Sequence, residues 1–109
     1  MEWQYTFDDT ENTIDKFILI WRTNIEILKA NQQKTVVVMD ITKTNMFSVS
    51  KILKIISFIS SNRRKLSETT DKVRIVVASS KQERNIKTAL GISPVRICEF
   101  EIIKNIADV

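Results

Sequence analysis

Asp40, Thr42, Thr44, Asn45, Ser48 and Ser50 stand close together in the stretch TVVVMDITKTNMFSVSKIL, which runs from Thr35 to Leu53. A carboxylate closes an apolar run, hydroxyls and an amide follow, and a helical pattern then starts. The first N–H groups of a helix have no partner within it, and its dipole is positive at that end. A hydroxyl placed there can bind an anion, receive a phosphate or cap the helix. A carboxylate such as that of Asp40 can accept hydrogen bonds from the turn below it. Capping is the commonest use of Ser48 or Ser50. These six residues are the candidate partner-binding or regulatory set.

Other chemistry finds little equipment. The chain has no histidine, which removes Ser-His-Asp and Cys-His nucleophilic arrangements and the common zinc sites. Gly91 is the only glycine, so the glycine-rich phosphate-cradling loops are absent. No catalytic residue, metal ligand or cofactor is assigned, and the chain is read as a non-enzyme. Cys98 is the one cysteine and lies in an apolar run. It reads as a small buried residue in a reducing compartment, which makes the cytoplasm the default location.

The elements that position the candidate residues follow from periodicity. Trp3, Tyr5 and Phe7 alternate with Gln4 and Thr6, the pattern of a half-buried strand. Ile14, Phe17, Ile18, Trp21, Ile25 and Leu28 follow helical spacing, which predicts a helix from about Thr13 to Ala30. Asn31-Gln32-Gln33 breaks it. Val36 to Ile41 reads as a central strand covered by helices. Val49, Ile52, Leu53, Ile56 and Ile59 repeat at helical spacing, with Ser48 as N-cap, and the polar stretch Ser60 to Asp71 ends or trails that helix. Val73 to Ala78 is a second buried-type strand. Ser80-Lys81-Gln82-Glu83 reads as a capping box opening a helix to Leu90, with Gly91 as a left-handed C-cap. Val95 to Phe100 reads as the last strand and Glu101 to Ala107 as a closing helix. The order is β-α-β-α-β-α-β-α. It predicts one α/β domain over residues 1–109, with a four-stranded, mostly parallel sheet and flanking helices.

The strand ending in Asp40-Ile41-Thr42, the turn through Met46-Phe47 and the helix start Ser48-Val49-Ser50-Lys51-Ile52-Leu53 resemble the sulfate-transporter and anti-sigma-factor-antagonist (STAS) domain. KVRIVVAS, SKQERNIKTALGI and VRICEF are similar to the family's second half, and the small single-domain proteins grouped with STAS and CRAL-TRIO folds are similar too. The resemblance covers about Thr35 to Val109. It implies a partner-docking domain, regulated in some members by phosphorylation of the first serine of Asp-Ser-Ser/Thr-Gly. In this chain Ser48 takes the aspartate place, Val49 the phosphoacceptor place, Ser50 the second serine and Lys51 the glycine. Valine cannot be phosphorylated, so the switch is absent or moved onto Ser48 or Ser50. One strand precedes the first long helix, where many members have two.

The leading expectation is a regulatory or scaffolding interaction domain that docks a protein partner through the turn and helix start after the second strand. A homo-oligomer is a further candidate. The alternatives are a carrier of a small apolar ligand or lipid, and a basic nucleic-acid-binding domain. The net charge of +4 and the cluster Arg63-Arg64-Lys65 suit the last reading. No base-stacking aromatics lie near that cluster, which ranks nucleic acid below a protein partner. There is no run of 18 apolar residues and hence no predicted transmembrane helix.

Overall fold

The computed structural model describes residues 2–8, 10–44, 48–92 and 97–104. The strands are β1 (Glu2–Thr6), β2 (Thr35–Asp40), β3 (Thr70–Val77) and β4 (Glu99–Lys104). The helices are α1 (Ile14–Ala30), α2 (Val49–Ser61), α3 (Arg63–Thr69) and α4 (Ser80–Ile92). The sheet is parallel throughout, with spatial order β1-β2-β3-β4.

This strand order decides where the core lies. When each parallel strand is laid beside the one before it by a right-handed crossover, every crossover helix falls on the same face. The burial alternation agrees. Trp3, Tyr5, Val37, Met39, Val73, Ile75, Val77, Phe100 and Ile102 face the core with α1, α2 and α4. The opposite face carries Glu2, Gln4, Val36, Val38, Lys72, Arg74, Glu99 and Glu101 in cross-strand register. The helices that cover β2, as expected, lie on one face only. The open face is charged in a way that suits water. Lys72 pairs with Glu99 at 3.5 Å and Glu101 at 3.2 Å, and Arg74 reaches Glu101 at 3.5 Å and Glu2 at 3.8 Å. The hydrogen bond and charge of Lys72, aided by Arg74, hold the Glu101 carboxyl below its ordinary value.

Helix α1 forms where its apolar stripe predicts. The Thr13 side chain caps it by accepting from Lys16 N, and Phe17 and Trp21 are fully buried. Trp3 stacks on Phe17 at 5.3 Å, Phe17 meets Trp21 at 5.3 Å, and Trp21 meets Phe58 of α2 at 5.5 Å. This aromatic chain joins the first strand to the second crossover. The helix ends in a Schellman turn, in which Gln33 N donates to Leu28 O and Gln32 N to Lys29 O. Gln32 holds the left-handed position at φ 52°.

Three expectations change. Residues 101–104 of the predicted closing helix Glu101–Ala107 are strand β4, and residues 105–107 lie outside the described residues. The predicted strand Val95–Phe100 joins β4 only at Glu99 and Phe100. Ile97 and Cys98 lie in a bend, and residues 95 and 96 lie outside the described residues. Edge position explains the error: Glu99, Glu101 and Ile103 face the open side while Phe100 and Ile102 face the core. The run Glu101-Ile102-Ile103-Lys104 thus mixes two-fold alternation with an exposed isoleucine, which mimics a short helical stripe. Second, Gly91 lies inside α4 without positive φ. The left-handed cap goes to Gln32 instead. Third, the polar stretch after α2 contains α3, whose Leu66 and Thr69 are buried.

Candidate functional site

The turn after β2 is held from two sides. Asp40 Oδ1 accepts from Thr42 N at 2.9 Å and from Thr42 Oγ1 at 2.6 Å, closing a local ring at the strand end. The second holder comes from α4. Gln82 Nε2 donates to Ile41 O at 2.8 Å and to Thr44 O at 3.0 Å, while Gln82 Oε1 accepts from Ala78 N at 2.7 Å. One side-chain amide thus ties the β2–α2 turn to the β3–α4 turn.

Helix α2 opens as expected. Ser48 is its N-cap and accepts from Lys51 N at 3.4 Å, and Ser48 Oγ and Ser50 Oγ are 3.0 Å apart. Both serines, Lys43 and Lys51 are exposed. Lys51 thus adds a cation to the first turn of α2, and Lys43 a second in the turn before it.

The candidate set is only partly brought together. Asp40 and Thr42 are half-buried and engaged with each other. Thr44 is buried, so its side chain supports the turn rather than presenting a contact. Ser48 and Ser50 face water. Asn45 lies outside the described residues, as do Met46 and Phe47. The last cross-strand row of the open face aligns Thr6, Asp40, Val76 and Ile103. Ile103 is an exposed large apolar residue on this row.

Sequence reasoning missed Gln82. The doublet Ser79-Ser80 allows two capping registers, and Ser80-x-x-Glu83 was the one expected. The structure uses Ser79, whose Oγ accepts from Gln82 N at 3.2 Å and whose carbonyl accepts from Glu83 N at 3.1 Å. Ser79-x-x-Gln82 fits the same Ser-x-x-Glu/Gln pattern, and this signal was available in the sequence. Ser80 instead accepts from Lys104 Nζ at 2.9 Å.

The strand order also bears on what the carboxyl edge can do. Ligand crevices in open parallel sheets form where the strand order reverses, because neighbouring crossovers then part to opposite faces. The order β1-β2-β3-β4 contains no reversal. The core void among Met39, Ile56, Ile75 and Phe100 is about 20 Å³, room for one water at most. Among the described residues no group of three or more Cys, Asp or Glu could hold a metal ion. No described helix is long and apolar enough to cross a membrane. Arg63 and Arg64 are exposed on α3, and Lys65 pairs with Glu26 of α1 at 2.9 Å.

Compared with known proteins, the chain matches no family model, no curated protein and no solved structure.

Proposed function

We propose that this chain is a non-enzymatic, STAS-like interaction domain that docks a protein partner through the turn after β2 and the start of α2. The observation that carries this reading is the double bond of Gln82 to Ile41 O and Thr44 O. It holds the turn at Ile41 and Thr44, where Lys43 faces water, as Ser48, Ser50 and Lys51 do at the start of α2. A surface fixed before binding loses less entropy on docking. The two lysines and the helix dipole suit an acidic partner segment. A phosphate on Ser50 would add about −1.5 to −2 charges and oppose such a partner, while the helix start would tolerate it. A carrier needs a cavity of roughly 300 Å³ or more. The groove between α1 and α2 reaches about 500 Å³, but it is open to solvent and carries Asp15, Arg22 and Lys54, which suits an apolar cargo poorly.

The test compares capture from native extract by wild type, Lys43→Glu, Ser50→Glu and, as a remote control, Lys87→Glu. Lys87 is exposed on α4 and pairs with Glu83. The reading expects a partner retained by wild type and Lys87→Glu and lost with the other two, at unchanged melting temperatures. Equal retention by all four variants would leave the turn as structure only.

A further inference from the structure

Charge is unevenly placed along this chain. Between Asp40 and Glu68 lie six Lys or Arg and no Asp or Glu, although the chain carries 13 acids. This acid-free stretch builds α2 and most of α3. Two acids of α1 reach it, and both are occupied. Asp15 pairs with Lys54, and Glu26 with Lys65 at 2.9 Å. Among the described residues no carboxylate pairs with Arg22 of α1 or with Arg63 and Arg64 of α3. All three arginines are exposed.

Arg22 lines the groove of about 500 Å³ between α1 and α2. Its guanidinium sits 5.6 Å from the centre of the Phe58 ring, a contact that places the charge without neutralising it. Its usual helical partner would be Glu26, one turn on, which Lys65 has taken. Across the groove α2 presents Lys54, Ser57 and Ser61. At spacing i, i+3 and i+7 they share one helical face and cover about 10 Å of α2. Asn62 closes that end of the groove, and Arg63 and Arg64 follow it directly in the chain.

Guanidinium, ammonium and hydroxyl donors are the groups that hold phosphate oxygens along a nucleic-acid backbone. Other anionic partners fit this surface less well. Protein interfaces are depleted in lysine and serine and are built around aromatic or aliphatic anchors. Here Phe58 is buried, and serines line the opening. A membrane-surface helix sinks a whole apolar face beside its cations. Leu19 is the only exposed large apolar residue among those lining the groove. Single strands are gripped by stacking on exposed aromatics, and the groove presents none.

We propose that the groove between α1 and α2, continued by Arg63 and Arg64, binds the phosphate backbone of duplex DNA without reading its sequence. The 10 Å face of α2 matches about three phosphates of one strand, which rise about 3.4 Å each. Arg22, Arg63 and Arg64 supply the free charge, and Ser57 and Ser61 add hydroxyl donors. The surface shares no residue with the turn after β2 and does not depend on the docking reading.

Fluorescence anisotropy on a labelled DNA duplex of mixed sequence tests this for wild type, for Arg22→Gln combined with Arg64→Gln, and for Lys87→Glu. The double variant and Lys87→Glu have equal net charge, and Lys87 stands on α4, outside the groove. Wild type should bind with a Kd of about 1–100 µM at physiological salt, and three released counterions should weaken it about 40-fold between about 50 and 200 mM salt. Lys87→Glu should keep that steepness. The double variant should retain only about a 4-fold salt effect, with the fold unchanged by circular dichroism. Should it fail to fold, Arg63→Gln with Arg64→Gln, both on exposed sites of α3, decides alone by the same readout. No binding at low salt up to about 100 µM chain, or equal losses in Lys87→Glu and the double variant, overturns the proposal. So does tighter binding to a single strand, to duplex RNA or to phosphatidylserine vesicles.

Discussion

Gln82 joins two turns through one amide, and its removal has a magnitude that can be worked from contacts. Gln82→Ala deletes two donations, to Ile41 O and Thr44 O, and one acceptance, from Ala78 N. A neutral intramolecular hydrogen bond contributes about 0.5–1.5 kcal/mol net, and a buried group left without a partner costs about 1–3 kcal/mol. Ile41 and Thr44 are buried, so water replaces the lost Gln82 donor poorly, while Ile41 O keeps a longer bond from Thr44 N at 3.4 Å. Ala78 is exposed, so its N–H rehydrates at little cost. The loss should be about 2–3 kcal/mol, read as a lower urea midpoint at unchanged slope. Gln82→Glu sharpens the test. At pH 7 it keeps the acceptor for Ala78 but aims a carboxylate at two carbonyl oxygens, so it should destabilise at least as much as alanine. Below the ordinary glutamate range the acid regains one donor and stability should partly return relative to wild type. A Gln82→Ala loss below about 0.5 kcal/mol, the size of an ordinary surface change, would refute the idea that this amide fixes the turn.

Further outcomes follow from the same contacts. Phe17→Ala and Trp21→Ala each remove a fully buried ring from the aromatic chain and should cost about 3–5 kcal/mol by denaturant titration. Gln32→Gly should raise stability by about 0.5–1 kcal/mol, because it relieves an L-residue at φ 52° without losing the Schellman bonds; a lower midpoint would count against that geometry. Asp8 Oδ1 accepts from the N–H groups of Asn12, Thr10 and Glu11, which lower its pKa from 3.8 to about 2. Its folded pKa lies below the unfolded one, so its contribution is complete above about pH 4 and is lost as the pH falls through about 2. The melting-temperature gap between wild type and Asp8→Ala should therefore close over that window. Burial pushes the Cys98 thiol up to about 11, so alkylation at pH 7 should be far slower than for a free thiol.

The sequence carried the elements whose two faces differ clearly. Phe17, Trp21 and Leu28 mark α1 because each turn buries one stripe, and Val37 and Val73 mark two strands whose partners are adjacent. What could not be read were the features set by neighbours. One-sided burial follows from spatial strand order, which no single strand encodes, although Lys72 and Arg74 alternating with Val73 and Ile75 hinted at a wet face. The last strand was displaced because an edge strand need bury only Phe100 and Ile102 firmly. At the candidate site, Ser48 as N-cap was legible from local pattern alone. The roles of Gln82 and buried Thr44 were not, because their partners lie 41 and 38 residues from Gln82.

The most direct test of the docking account is the hydrogen-exchange footprint of the partner recovered by the capture experiment. The account predicts added protection at Lys43, Ser48 and the first turn of α2, with the amides of β1 and α3 unchanged. Protection confined to α3, or to the outer face of α4, with the α2 start exchanging as in the free protein, would contradict it.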